Sequence, residues 1–253
     1  MRNSQIVNIN QPPERDIAKN NEFKKDNLIY SLDFNNKTAS LIANELIYGQ
    51  VFIPRSIIYE THEYIIKSVI ECAFKNSKDI ISVEFADNSE VSLFSKESFS
   101  QSTIENITIP PHLTKISEFS FYSCRKLHKL EIPTNSDLYT IENGAFAYSS
   151  IESILIPEKL VELKEGWCEN TDELTKISVM PKNCYYSCLN NEYIIKKSSV
   201  GINNYDVLVF AVRNIEVATI PSFIEIIEPF SFCGCLKLQK INFPEDSKLR
   251  TID

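Results

Sequence analysis

Apolar positions in this chain fall into a phrase, apolar-x-x-apolar-x-apolar-Pro, that returns about every 23 residues. An apolar residue and, five positions later, a phenylalanine precede each phrase. The clearest copy runs Ile116, Phe121, Cys124, Leu127, Leu130, Ile132, Pro133. A copy with the same spacing runs Ile227, Phe232, Cys235, Leu238, Ile241, Phe243, Pro244. The slot before Pro is held by Ile53, Phe85, Ile109, Ile132, Ile156, Val179, Ile220 and Phe243, although Ala86 and Met180 replace Pro after Phe85 and Val179. Five of the seven intervals are 23 or 24 residues, and those ending at Phe85 and Ile220 are 32 and 41. A period in this range is the mark of a stacked solenoid, whose function comes from an extended surface rather than a deep pocket.

The alternation in Leu130-x-Ile132 predicts a short strand with every second side chain buried. Pro133 ends it, because proline has no N–H for the next ladder bond. A second short segment, such as Leu113 to Ile116, leads to the Phe slot, and Ser117 to Cys124 is expected as one helical turn or a tight bend. The Phe slot is filled by Phe74, Phe99, Phe121, Phe146 and Phe232, while Cys168 takes it in one turn with Trp167 beside it as core filler. Stacking at about 4.8 Å per strand would turn these slots into continuous ladders. Phe99 to Ile104 and Phe146 to Ile151 span five residues, where Phe121 to Leu127 and Phe232 to Leu238 span six. The deletion falls in a bend, where it is tolerated. Ile252 opens one more copy, so the sequence reads as stopping inside a repeat.

The stretch Leu-Thr-Lys-Ile-Ser-Glu-Phe-Ser-Phe-Tyr-Ser-Cys-Arg-Lys-Leu-His-Lys-Leu-Glu-Ile-Pro (113–133) resembles the leucine-rich repeat of BspA-like surface antigens, and 145–157 and 224–244 match the same pattern. Residues 204–215 and 49–59 resemble an interruption and a lead-in found in the protozoan branch. The resemblance covers about residues 28–253 and implies a leucine-rich-repeat fold with a surface or adhesion role. It brings no catalytic motif.

Composition narrows the partners. A net charge of −8 and a pI near 5.1 disfavour nucleic acid, which needs a basic footprint, and docking on anionic lipid by charge. Five glycines cannot build a phosphate loop. Neither a signal-peptide run nor an apolar stretch of membrane-spanning length is expected, the longest tight run being Val207 to Val212. Localisation is therefore open: the resemblance favours the cell surface, the missing leader the cytoplasm. No cofactor is implied. The seven cysteines cannot all pair, and the shared slot of Cys124 and Cys235 reads as buried packing. Cys184-x3-Cys188 is too widely spaced for a metal or redox pair, and Cys233-x-Cys235 should point apart. His62, His112 and His128 fall in different turns with no nucleophile placed beside them.

The expected organisation is a polar tail at 1–27, a β cap at 28–66 built on a hairpin about Asn35-Asn36-Lys37, and repeats over 67–253. A β-hairpin insertion at about 182–214 should protrude or extend one turn. In each phrase strand the residues between buried slots should face out on the concave side: Ser82 and Glu84, Asn106 and Thr108, Lys129 and Glu131, Ser153 and Leu155, Lys176 and Ser178, Lys240 and Asn242. Of these, Lys129, Glu131, Leu155, Lys176, Ser178 and Lys240 are the candidate contact residues for a protein or glycan surface. Tyr185 and Tyr186 in the insertion are candidate anchors, since tyrosine offers contact area at low entropy cost. The expected function is noncatalytic binding, adhesin-like, with an intracellular scaffold as the alternative.

Overall fold

The computed structural model describes residues 21–44, 47–199, 201 and 204–252. Each repeat contributes one phrase strand and one strand before the Phe slot, the latter shorter except in the first repeat. The phrase strands are Gly49–Ile53, Ile80–Phe85, Asn106–Thr108, Lys129–Glu131, Ser153–Ile156, Lys176–Val179, Val217–Thr219 and Lys240–Asn242. The second row is His62–Val69, Leu93–Phe94, Lys115–Ile116, Thr140–Ile141 and Glu162–Leu163, resuming after the insertion with Ile226–Ile227 and Thr251–Ile252. Pairing between repeats is parallel. This is the stacked solenoid that the period predicts, in the leucine-rich-repeat form that the resemblance implies.

The Phe slots form the inner ladder. Phe74, Phe99, Phe121 and Phe146 stack with centroids 5.0–5.3 Å apart and planes within 5°. All four are fully buried. Cys168 holds the backbone position of the slot, but Trp167 supplies the ring, edge-on to Phe146 at 6.5 Å. Trp167 then meets Phe210 at 5.8 Å, so the aromatic column crosses into the insertion.

The bend around each Phe slot is not helical. The residues two before and two after the slot are left-handed: Cys72 and Asn76, Glu97 and Gln101, Phe119 and Ser123, Gly144 and Tyr148, Gly166 and Asn170, Phe230 and Gly234. A left-handed non-glycine residue costs on the order of 1 kcal/mol, so something must hold it. Here a third ladder does. Cys72, Phe74 and Asn76 donate their N–H groups to the carbonyls of Lys96, Ser98 and Ser100 in the next bend, at 3.3, 2.7 and 2.9 Å. The bonds from Glu97, Phe99 and Gln101 to Glu118, Ser120 and Tyr122 repeat the pattern.

At Gly144 the requirement is also for space. An added Cβ would lie 2.4 Å from the Phe119 ring of the preceding bend. Gly144→Ala is therefore expected to cost about 1–3 kcal/mol in urea unfolding, as overpacking does. A loss below about 0.5 kcal/mol would mean that Phe119 swings clear at little cost.

The phrase-strand ladder is not continuous, contrary to the simple stacking picture. No pairing joins Lys129–Glu131 to Ser153–Ile156, and the backbone link there is Glu152 N–H to His128 C=O at 3.2 Å. Pairing between Ile80–Phe85 and Asn106–Thr108 is reduced to two residue pairs. Both junctions follow a six-residue span (Phe74 to Ile80, Phe121 to Leu127) with a five-residue one. The reverse order, before Lys129–Glu131 and before Lys176–Val179, keeps three and four pairs. The missing residue pulls the following strand out of reach. Ser82, expected to face out, is buried beside Val83, and its hydroxyl has no partner.

The cap is larger than the hairpin at its centre. Leu28–Asp33 pairs with Thr38–Asn44 as expected, and Asp33 Oδ1 caps the turn through the N–H groups of Asn35 and Asn36 at 2.9 and 3.0 Å. Glu22–Lys25, assigned to the polar tail, adds an antiparallel strand to Leu28–Asp33. The rest of that tail, 1–20, lies outside the described residues. Ser56–Tyr59 folds back on His62–Val69, which accounts for the long first interval.

The insertion is built in rather than protruding. Tyr186–Leu189, Tyr193–Lys196 and Val207–Ala211 pair antiparallel in order, and Val207–Ala211 pairs in parallel with Ile226–Ile227. Val207–Ala211 is buried along its whole length, so it forms an extra layer of the solenoid. The first of these strands had no clear pattern in the sequence.

Candidate functional site

The register places the exposed side chains of the phrase strands in two columns. One runs Phe52, Glu84, Thr108, Glu131 and, past the break, Leu155 and Ser178; the other holds Gln50, Asn106, Lys129, Ser153 and Lys176. The broken ladder opens a groove across them of about 560 Å³, lined by residues that include Glu131, Ile132, Ser153, Leu155, Lys176 and Ser178. Four of the six strand residues proposed from sequence, Glu131, Leu155, Lys176 and Ser178, thus meet at one place. Lys129 stands beside it. Lys240 is exposed but lies past the insertion layer, away from the groove.

The charges around the groove are unequal in their commitments. Lys129 Nζ sits 2.8 Å from Glu131 Oε1, and Thr108 Oγ1 donates to Glu131 Oε2 at 3.0 Å. These bonds hold the Glu131 carboxyl below the usual carboxylate range. Lys176 is exposed and has no ion pair among the described residues. Leu155 is half-buried and offers an apolar contact between these polar groups. The arrangement sets an exposed cation, Lys176, beside an apolar surface, Leu155.

The two tyrosines divide. Tyr185 is 40% exposed and stays available as an anchor. Tyr186 is 3% exposed, and its hydroxyl accepts from Leu163 N–H at 2.8 Å and donates to Val161 C=O at 3.3 Å. It replaces a missing ladder bond between Glu162–Leu163 and the insertion, so it presents no surface to a partner. Its burial raises the phenol pKa.

The other candidate groups do not converge. All seven cysteines are free, and burial pushes the Cys124 and Cys168 thiols up to about 12. Among the described residues no three His, Cys, Asp or Glu side chains come together as metal ligands. His112 Nδ1 meets Asp137 Oδ2 at 2.9 Å on the surface, and His128 lies 3.8 Å from Glu152. Among the described residues no helix is long and apolar enough to cross a membrane.

Sequence reading found the residues of the groove but not the groove itself. The signal was present in the five- and six-residue spans, whose order decides where pairing fails.

Comparison with solved structures gives the same fold in bacterial proteins. The pneumococcal vaccine antigen PcpA superimposes with a TM-score of 0.73 at 18% identity, covering 93% of this chain and 70% of that one. A leucine-rich-repeat protein from Bacteroides ovatus gives 0.65 at 18% identity, over 89% of this chain and 54% of that one. A leucine rich cell surface protein from Faecalibacterium prausnitzii gives 0.57 at 18% identity, over 92% and 76%. At such identities the likeness is one of fold. No curated protein matches the chain. The family model of the BspA type leucine rich repeat region matches in six copies over residues 45–175 and 168–253, and the chain belongs to that family.

Proposed function

We propose that this protein is a noncatalytic recognition module, adhesin-like and displayed on the cell surface, that binds an extended polypeptide segment in the groove beside Leu155 and Lys176. The observation that carries this reading is the groove itself. It opens on the exposed strand face, the facing edges of Lys129–Glu131 and Ser153–Ile156 are not paired with each other, and it holds an uncommitted cation next to an apolar side chain. Unpaired strand edges are the standard template for an added chain, with side-chain pockets giving specificity. The repeat family supports protein interaction in general.

Selection of random twelve-residue peptides against the immobilised protein tests the site. Acidic-apolar sequences are expected, and their affinity should fall about tenfold in Lys176→Glu and in Leu155→Asp, a change equivalent to about 1.4 kcal/mol. Unchanged binding to both variants would dismiss the groove. Display is tested separately by protease shaving of intact cells. Cleavage without permeabilisation supports the adhesin-like role, and protection until lysis overturns it.

A further inference from the structure

We infer that a notch beside Trp167, on the edge formed by the Phe-slot bends, is a second docking site, and that its ligand is an arginine- or lysine-bearing loop of another protein. None of the residues lining it belongs to the groove. The inference begins with the bend ladder. In the bends at Phe74, Phe99, Phe121 and Phe146, the slot N–H donates forward to the next bend, at 2.7–2.9 Å. The bend at Cys168 has the same two left-handed residues, Gly166 and Asn170. Yet the N–H groups of Gly166, Cys168 and Asn170 find no backbone acceptor in the described structure.

The insertion is the reason. Its layer reaches the slot at Ala211, whose N–H donates to Ser231 C=O at 3.0 Å just as Phe146 donates to Trp167. Leu208 pairs with Ile227, the residue five positions before Phe232, but Ala211 follows Leu208 by only three positions. The shortened path sets the layer back from the edge. What is left is a notch of about 150 Å³ between Gly166–Cys168 and Pro229–Phe230, with Val209 between them.

The lining selects the ligand. Free N–H donors call for an acceptor oxygen, and a buried one such as that of Cys168 is costly to leave unmet. Phe230, 41% exposed, offers an aliphatic stem its apolar wall, and the buried Trp167 and Val209 form the floor. At the rim, Glu165 and Glu169 have no cation partner among the described residues, although Glu169 Oε1 accepts from Tyr148 Oη at 3.3 Å and Asn170 Nδ2 at 3.2 Å, whereas Glu228 is committed to Lys196 and Lys164 to Glu162. Arg213, the nearest buried cation, is not in the lining and gives its Nη hydrogens to carbonyls and sulfur. A simple anion would meet the two carboxylates, and an apolar ligand would leave the donors unmet. A basic residue whose stem lies on Trp167 and Phe230, whose head reaches Glu165 and Glu169, and whose chain supplies the carbonyl satisfies all three features. A cation over an aromatic face adds to the attraction.

Trp167 is the single tryptophan, so its fluorescence reports the notch directly. The probe is the capped peptide Gly-Gly-Arg-Gly-Gly, compared with the same peptide carrying norleucine in place of arginine. A saturable emission change is expected with the arginine peptide, weaker by about tenfold with norleucine and in Glu165→Gln, and unchanged in Glu131→Gln on the groove. Amide shifts at Gly166 and Cys168 should accompany it. An equal response to norleucine, a response that survives in both Glu165→Gln and Glu169→Gln, or no saturation up to about 10 mM would overturn the proposal. Thermal melts of the variants confirm folding, since both glutamates are at the surface rim.

Discussion

Phe121→Ala is expected to lower the unfolding free energy by about 3–5 kcal/mol, the range for truncating a buried phenylalanine. Phe121 is fully buried and is stacked on both faces, by Phe99 at 5.0 Å and Phe146 at 5.3 Å. Removal of the ring breaks two stacks and opens a void that flanking rings cannot fill, because their own bends are pinned by the third ladder. Phe232→Ala makes the comparison, since Phe232 is only partly buried and should cost less than half as much. Urea unfolding followed by circular dichroism measures both. A loss below about 1 kcal/mol for Phe121→Ala would contradict the stacked column.

Arg213→Met should have the second large effect, about 2–4 kcal/mol. Arg213 is 2% exposed, packs over the Phe210 ring at 4.2 Å, and has no carboxylate partner among the described residues. Its Nη2 donates to Cys168 C=O at 3.3 Å, and its Nη1 to Ala211 and Ser231 C=O at 3.3 and 3.1 Å. Its Nε is left without a partner. Three carbonyl dipoles therefore offset a buried cation, and each hydrogen bond to a charged group is worth about 1.5–3 kcal/mol before the desolvation of the ion is subtracted. Methionine keeps the volume and strands the carbonyls. Because the guanidinium ties Cys168 on one side of the insertion to Ser231 on the other, unfolding of the variant should also separate into two transitions. A single transition with unchanged midpoint would mean that an apolar filler serves equally well, as happens with some buried ion pairs.

Much of this fold was legible because its dominant force has a period. Burial of Leu130, Ile132 and Phe121 recurs every repeat, and so did the letters that encode it. The bends were harder. Cys72, Glu97 and Phe119 share a left-handed backbone but no side-chain chemistry, since the ladder N–H groups, not the residues, hold them there. The insertion layer defeats periodic reading for a different reason: Val207 to Ala211 is continuously apolar and looks like any buried strand, while Tyr186–Leu189, at the far side of Tyr193–Lys196, shows no alternation of buried and exposed residues. Tyr186 was misread for the same cause. A tyrosine next to an exposed tyrosine carries no mark of which one points inward until its neighbour Leu163 is found to need an acceptor. Of the candidate site, the exposed columns followed from alternation alone, whereas the groove required knowing that a five-residue bend after a six-residue one unzips the strands.

The one-way ladder of the bends has an evolutionary consequence. Each copy offers donors on one side and acceptors on the other, at the same spacing, as the bonds from Phe74 to Ser98 and from Phe99 to Ser120 show. A gene duplication that adds one whole copy therefore splices into this ladder without new chemistry, because the bends at Phe74, Phe99 and Phe121 join in the same way. A segment of any other length breaks that grammar and must bring its own adaptor. Tyr186 and Arg213 are such adaptors, one at each border of the insertion, and a lineage that deleted the insertion cleanly could lose both at once.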